Sequence, residues 1–318
     1  PPFKHKQDDL FAFAEKIYCN NETESRKLKF LYRQSGITNR YSVVPDYSVE
    51  SNERIFFPPA ADLEPFPSLE KRMKLYQDHA ANLCVDAIED CISNKIKKEQ
   101  ITHLVTVSCT GMSAPGIDLE IMEMMGLQQN IVRTSVNFMG CYAAIHGLKL
   151  ADAFCKSNPD ANVMVVCVEL CTLHFQKSIS ADNMTSSLLF ADGCAAMLLQ
   201  PGNSKHSGFR IKSFFSDVSF KGKKDMAWEL SSTGFLMTLT GYVPELIRED
   251  FSKLVEKALS AAGMNQSDIS HWCIHPGGKK ILDTITGSLR ITTDELKYSY
   301  EVLNDYGNMS SPTILFVL

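Results

Sequence analysis

The chain has 318 residues, 44% hydrophobic and 22% charged, with a formal net charge of −5 at pH 7. That length can bury a large core, and the charge balance lacks the basic field that nucleic-acid binding needs. No apolar run approaches the roughly 20 residues of a membrane span and no signal-peptide pattern opens the chain, so neither a nucleic acid nor a membrane is an expected partner.

Apolar residues recur at helical spacing over 7–20, 23–34 and 69–97. The stretch 42–68, rich in Pro and aromatics, reads as a covering loop. Short β-rich runs follow at 103–108, 131–136, 162–169, 194–200 and 208–216, with helices expected at 116–125 and 141–156. Pro201-Gly202-Asn203-Ser204 reads as a turn between two halves, 1–203 and 204–318. Beyond it the pattern predicts a strand near 235–240, a helix over 243–262, a strand at 271–275, helices over 278–288 and 293–304, and a final element from 308. Alternating β and α elements imply an α/β architecture with a buried sheet and covering helices. The ten cysteines include no Cys-x-x-Cys pair. They read as reduced thiols of a cytoplasmic protein, with neither a metal site nor a redox motif.

Three short segments carry the chemistry. Cys141 follows Gly140 at the junction of a β-rich run and a helix-forming run, where unpaired N–H groups favour a thiolate. His275 closes an apolar run before Pro276-Gly277-Gly278, and Asn308 lies in Tyr306-Gly307-Asn308-Met309-Ser310-Ser311. A His⁺ beside a thiolate would form an ion pair that lowers the cysteine pKa. An amide and an imidazole can together donate to one developing oxyanion. Any one of these residues alone would read as structural: a core thiol, a loop histidine, a helix cap. The three segments together argue for a catalytic set.

With Ser108-Cys109-Thr110-Gly111 and Leu189-Phe190-Ala191-Asp192-Gly193, these segments resemble the type III polyketide synthases, the chalcone-synthase-like branch of the thiolase superfamily. The resemblance runs over essentially the whole chain, and the stretch Glu169 to Phe175 is closer to microbial members than to plant ones. It implies a thiolase-like five-layered αβαβα fold from two pseudo-repeated halves, working as a homodimer. It also implies loading of an acyl-CoA starter on Cys141 and iterative decarboxylative condensation with malonyl-CoA. His275 and Asn308 would stabilise the enolate, and no cofactor beyond the CoA thioesters would be needed. Phe190 matches a gate phenylalanine between the CoA tunnel and the cavity, and Met237 stands where the family has a second aromatic. Cys109, Cys171, His174 and Trp228 fall at cavity-wall positions, Trp228 where plant members have a small residue. Lys27 matches a basic CoA contact, with Gly277 and Gly278 beside the CoA path. Two further basic positions are Phe30 and Gln34, leaving Lys29 and Arg33 to stand in. Family members begin with a strand before Pro1 and continue past Leu318 through a Gly-Phe-Gly-Pro-Gly loop, so a trimmed sequence is expected.

Three rivals compete with that reading. The order Cys, His, Asn also fits papain-like proteases, but their Cys-Gly-Ser-Cys-Trp context and secretory leader are missing. A ketoacyl-carrier-protein synthase III would share fold and triad while condensing once. A non-catalytic scaffold would have no need of the intact triad. The pairing of Gly-Asn-Met-Ser-Ser with His-Pro-Gly-Gly favours the iterative branch. The starter and the mode of ring closure, to a pyrone, a resorcinol or a small phenolic, stay open at this stage.

Overall fold

A computed structural model describes residues 1–202 and 208–318. β1 (Phe3–Lys6) pairs antiparallel with β2 (Asn39–Ser42), and α1 (Gln7–Tyr18) and α2 (Glu22–Gln34) lie between them. α2 starts where the Asn21 side chain accepts the Glu24 N–H at 3.0 Å, satisfying one of the amides a helix start leaves orphaned. Ser68 begins α3 (Leu69–Ile92) in the same way, and the helix ends before 97 because Asn94 turns to φ 58°.

The centre is a four-stranded sheet of β3 (His103–Ser108), β4 (Val132–Asn137), β5 (Val163–Leu170) and β6 (Asp192–Leu199), ordered β4-β3-β5-β6. β3 runs parallel to β4 and β5, and β6 runs antiparallel to β5. Every residue of β5 is buried, as a central strand covered on both faces requires. Its two-residue period divides the cores. Met164, Val166, Val168 and Leu170 face the core shared with α3, while Val163, Val165 and Cys167 face α5 (Ala143–Ser157). α4 (Ile117–Met125) packs beside α3. The α/β class inferred from the alternating pattern is the one observed.

α6 (Ala181–Leu189), capped by Ser180, has no counterpart among the expected elements. In the second half, β7 (Met226–Ser231) and β8 (Gly234–Leu239) form a hairpin, followed by α7 (Val243–Ala262), α8 (Lys279–Leu289), α9 (Lys297–Tyr306) and α10 (Thr313–Val317). Two expected strands are corrected here: 208–216 and 271–275 are not strands among the described residues. A strand exists only where a neighbour takes its backbone hydrogen bonds. At Ile274 a side chain takes that place, since the Ser299 hydroxyl accepts its N–H at 3.2 Å and donates to its carbonyl at 2.7 Å. The second half accordingly shows no counterpart of the four-stranded sheet among the described residues. The expected boundary between 203 and 204, and the turn beyond Gly202, lie outside the described residues.

Candidate active site

Parallel strands release their loops at one edge, and ligand sites of α/β sheets gather at the carboxyl ends of the strands. β3 delivers Cys109 and Thr110, β4 delivers Phe138 to Cys141, and β5 delivers Cys171 to His174. The last residues of β5 pair with the start of β6, so Phe190 comes to the same edge. These loops border a cavity of about 910 Å³, which Met237, Trp228, His275, Gly277 and Asn308 also line.

Cys141 is carried by a tight turn after β4. Phe138 sits at φ 57° and Gly140 at φ 66°. A Cβ at Gly140 would meet nothing within 4 Å, so the glycine is required by its backbone angle and not by space. The turn is pinned by the Gly140 N–H donating to the Cys109 sulfur at 3.2 Å. The Cys141 thiol donates to the Ser310 hydroxyl at 3.5 Å.

The expected thiolate–imidazolium pair is corrected by this environment. Burial pushes the Cys141 thiol up to about 11; the Glu169 carboxylate adds to the rise, while hydrogen bonds from Ser310 and from its own N–H oppose it. Burial alone takes His275 down to about 4. Near neutral pH the cavity is therefore lined by a neutral thiol and a neutral imidazole. Both His275 ring nitrogens are buried without a hydrogen-bond partner.

Asn308 is held by its backbone and oriented by its neighbour. Its N–H donates to Leu189 O and its carbonyl accepts the Ala191 N–H, both at 2.9 Å, which sets it beside Phe190 as an isolated parallel bridge. The Ser310 N–H occupies the amide oxygen at 2.8 Å. The amide NH₂ is thereby turned toward the histidine loop, where Gly277 O lies at 3.4 Å. Gly307 makes the approach possible, since a Cβ there would lie 2.8 Å from the Arg40 side chain.

One wall of the cavity is aromatic. Trp228 and Met237 are cross-strand partners in the β7–β8 hairpin. The Trp228 indole donates to Cys109 O at 2.8 Å. His174 accepts the Phe235 N–H on Nδ1 at 3.0 Å and donates from Nε2 to Thr110 O at 2.7 Å, a pattern that fixes the neutral tautomer. Burial holds its pKa down near 3. Its ring stacks on Phe235 with centroids 4.4 Å apart. The hairpin is tied to the first half through Gln176, which donates to Thr233 O at 2.9 Å.

Two family models, described as chalcone and stilbene synthases, match the chain: the N-terminal domain over residues 5–202 and the C-terminal domain over 213–318. The chain belongs to the chalcone and stilbene synthase family. Among curated relatives, "Probable polyketide synthase 1" of Dictyostelium discoideum is 30% identical over 98% of this chain and 10% of its own length. A protein of Mycobacterium tuberculosis named for alpha-pyrone synthesis and as polyketide-synthase-like is 32% identical over 79% of this chain and 65% of its own. The chain thus spans a tenth of the first relative and just under two thirds of the second. Of solved structures, PKS-I from the brown alga Ectocarpus siliculosus superposes with a TM-score of 0.92 at 28% identity, covering 100% of this chain and 85% of that one. That likeness places the chain in the thiolase-like fold.

Against this family background, Cys141, His275, Asn308, Phe190, Met237, Cys109, Cys171, His174, Trp228 and Gly277 line one cavity. Lys27 does not. It lines a separate shallow surface groove with Arg26, Phe30 and Leu31. Gly278 opens α8 directly after Gly277, with φ 155°.

Several residues of the site are not singled out by sequence reasoning. Ser310 lies inside a motif read for its asparagine. Glu169 is a carboxyl at the end of an eight-residue apolar strand, itself a signal of a buried polar network. Its Oε2 accepts the Cys109 N–H at 2.9 Å and the Thr110 hydroxyl at 2.8 Å, and its Oε1 accepts the Ser311 hydroxyl at 2.7 Å. Arg40, buried in the cavity wall, carries no pattern that would have found it. Among the described residues no group of three or more His, Cys, Asp or Glu side chains is placed to hold a metal, and no helix is long and apolar enough to cross a membrane.

Proposed function

We propose that the chain is a type III polyketide synthase that loads an acyl group from an acyl-CoA onto Cys141 and extends it iteratively with malonyl-CoA. The observation that carries this reading is the set around the cavity: a thiol, an imidazole with both nitrogens unpartnered, and an amide whose NH₂ reaches the histidine loop at Gly277 O. The neutral His275 accepts the Cys141 proton as sulfur attacks the starter thioester; the acyl–sulfur bond to CoA breaks, and the proton leaves with the CoA thiol. Malonyl-CoA then loses CO₂, and the electron pair of the broken C–C bond becomes an enolate. Its oxygen is met by N–H donors from His275 and Asn308 that need no reorganisation. The enolate carbon attacks the Cys141 thioester and expels the thiolate, leaving the lengthened acyl group on CoA; its transfer back to Cys141, with release of the CoA thiol, allows the next round.

In the same proposal Phe190 and Met237 gate the cavity, with Cys109, Cys171, His174 and Trp228 shaping it. Lys27, Gly277 and Gly278 meet CoA, and residues 1–203 and 204–318 form two thiolase-like halves. No cofactor beyond the CoA thioesters is used, and the enzyme works in the cytoplasm. It works as a homodimer, a reading supported by β4, an edge strand with Val132 exposed at its start and Met139 exposed just past its end. Product mass spectrometry with isotope-labelled malonyl-CoA and short, long and aromatic acyl-CoA starters tests the activity. Two or more labelled two-carbon units per product are expected. A single extension, or activity only with malonyl-carrier protein, would overturn it in favour of a ketosynthase III reaction.

A further inference from the structure

The last carbonyls of α6 and the residue after it are each taken by a different part of the chain. Leu188 O accepts from the Gln7 side chain at 2.9 Å, Leu189 O from the Asn308 N–H at 2.9 Å, and Phe190 O from Arg40 Nη1 at 2.6 Å. Gln7 and Arg40 are themselves joined, since Arg40 Nε donates to Gln7 Oε1 at 3.0 Å. Arg40 is 3% exposed and Gln7 7%. Among the described residues no carboxylate forms an ion pair with Arg40. A buried cation without a counter-ion is costly to keep. What offsets it here is a neutral amide oxygen, a peptide carbonyl, the negative end of the α6 dipole, and the Tyr32 hydroxyl and the more distant buried Asp192 carboxyl, while Nη2 is left without a partner.

The aliphatic stem of Arg40 contributes as well. It fills the place where a side chain at Gly307 would stand, the Cγ lying 2.8 Å from a Cβ built there. One residue therefore holds the carbonyl of Phe190 with its guanidinium and backs the residue before Asn308 with its methylenes. Between those two contacts run the paired hydrogen bonds that align Asn308 with Leu189 and Ala191.

We infer that Arg40, oriented by Gln7, is a positioning residue that fixes Phe190 and Asn308 against each other and so sets the direction of the Asn308 amide. The inference rests on the proposed decarboxylation for its kinetic test but not for its structural one. Lysine at this position keeps the charge and most of the stem, yet a single ammonium cannot span Gln7 Oε1 and Phe190 O as the planar fork does. Decarboxylation that depends on the Asn308 amide then suffers from misplacement, while the thiol on its separate turn is untouched.

The test compares wild type with Arg40→Lys, Arg40→Met and Gln7→Leu. Malonyl-CoA decarboxylation should fall roughly ten- to hundredfold in kcat in the Arg40 variants, and less in Gln7→Leu. Alkylation of Cys141 by iodoacetamide should stay within about twofold of wild type, a split that general loss of folded protein would not produce. Hydrogen exchange read over 186–192 and 306–311 should quicken in all three variants, with β3 unchanged. Equal loss of decarboxylation and alkylation, or unchanged exchange at the Ala191 and Asn308 amides, would overturn the inference. Should Arg40→Met not fold, Arg40→Lys and Gln7→Leu decide the same question. A wild type that fails to decarboxylate malonyl-CoA would sink the proposed function instead, and the exchange data would still judge Arg40.

Discussion

Replacing Glu169 by Gln isolates the electrostatics of the buried acid behind Cys141. Burial raises the Glu169 carboxyl from 4.5 to about 7, against the opposing hydrogen bonds from Cys109, Ser311 and Thr110. From about pH 4.5 to 7 the folded protein holds a proton that the unfolded chain has released, so stability falls as pH rises through that window and levels off above it. At roughly 1.4 kcal/mol per pH unit the whole effect is about 3 kcal/mol, of which roughly 2.5 kcal/mol falls between pH 5 and pH 8. The glutamine side chain would preserve the network: its oxygen accepts from Cys109 and Thr110, and its NH₂ donates to a Ser311 hydroxyl that turns round. Burial lowers His174 to about 3 and His275 to about 4, which makes stability rise with pH on the acid side. Both proteins share that rise, and it cancels in their difference. Urea unfolding of wild type and Glu169→Gln at pH 5 and pH 8 should therefore show the variant gaining roughly 2.5 kcal/mol relative to wild type at the higher pH. Parallel profiles would refute the reasoning. The same variant should alkylate faster at Cys141 at pH 8, because the negative charge that raises its thiol is gone.

Other substitutions follow from contacts already described. Ser310→Ala removes the hydroxyl that turns to donate to the Cys141 thiolate and holds its pKa down, and should slow iodoacetamide alkylation at pH 9 by roughly three- to tenfold; an unchanged rate would show the contact to be irrelevant. Gly307→Ala forces a Cβ against Arg40 at φ 69° and should cost about 2–3 kcal/mol by urea unfolding, so a wild-type midpoint would contradict the close packing. Cys141→Ala should abolish acyl loading and polyketide output, as read by product mass spectrometry. Asn308→Ala and His275→Gln should each slow malonyl-CoA decarboxylation by roughly 10²–10³-fold; full activity in both would remove them from the oxyanion site.

What can be read from the sequence follows local physics. β3 is expected at 103–108 and runs His103–Ser108, because the β-branched Val105, Thr106 and Val107 mark a strand in the sequence. The turn at Gly140-Cys141 and the motifs at His275 and Asn308 are visible because each couples a chemical group to a glycine. α6 is not visible: Ala181-Asp182-Asn183-Met184-Thr185-Ser186-Ser187 has little helical propensity and is stabilised by packing against α1 and β8. The strand expected at 271–275 fails for the opposite reason, since its apolar pattern lacks a ladder partner among the described residues. The charge state of Cys141 and His275 is also out of reach. Helix-end geometry argues for a thiolate, and only the packed structure shows burial outweighing it. Arg40 has no local signature because its role depends on residues far away in sequence.

That distance has a consequence for how the protein is made. The contacts that fasten the end of α6 span sequence separations of 181 residues for Gln7 and 150 for Arg40. Contacts of that kind reward the chain only after large loops have closed, so they form slowly and late. During synthesis the Cys141 turn can fold with its own sheet well before the Asn308 loop exists. The amino-terminal helix must wait for the carboxyl-terminal loop to complete the same join. A nascent or partly unfolded chain can thus expose a thiol, but not the aligned amide that the proposed decarboxylation requires.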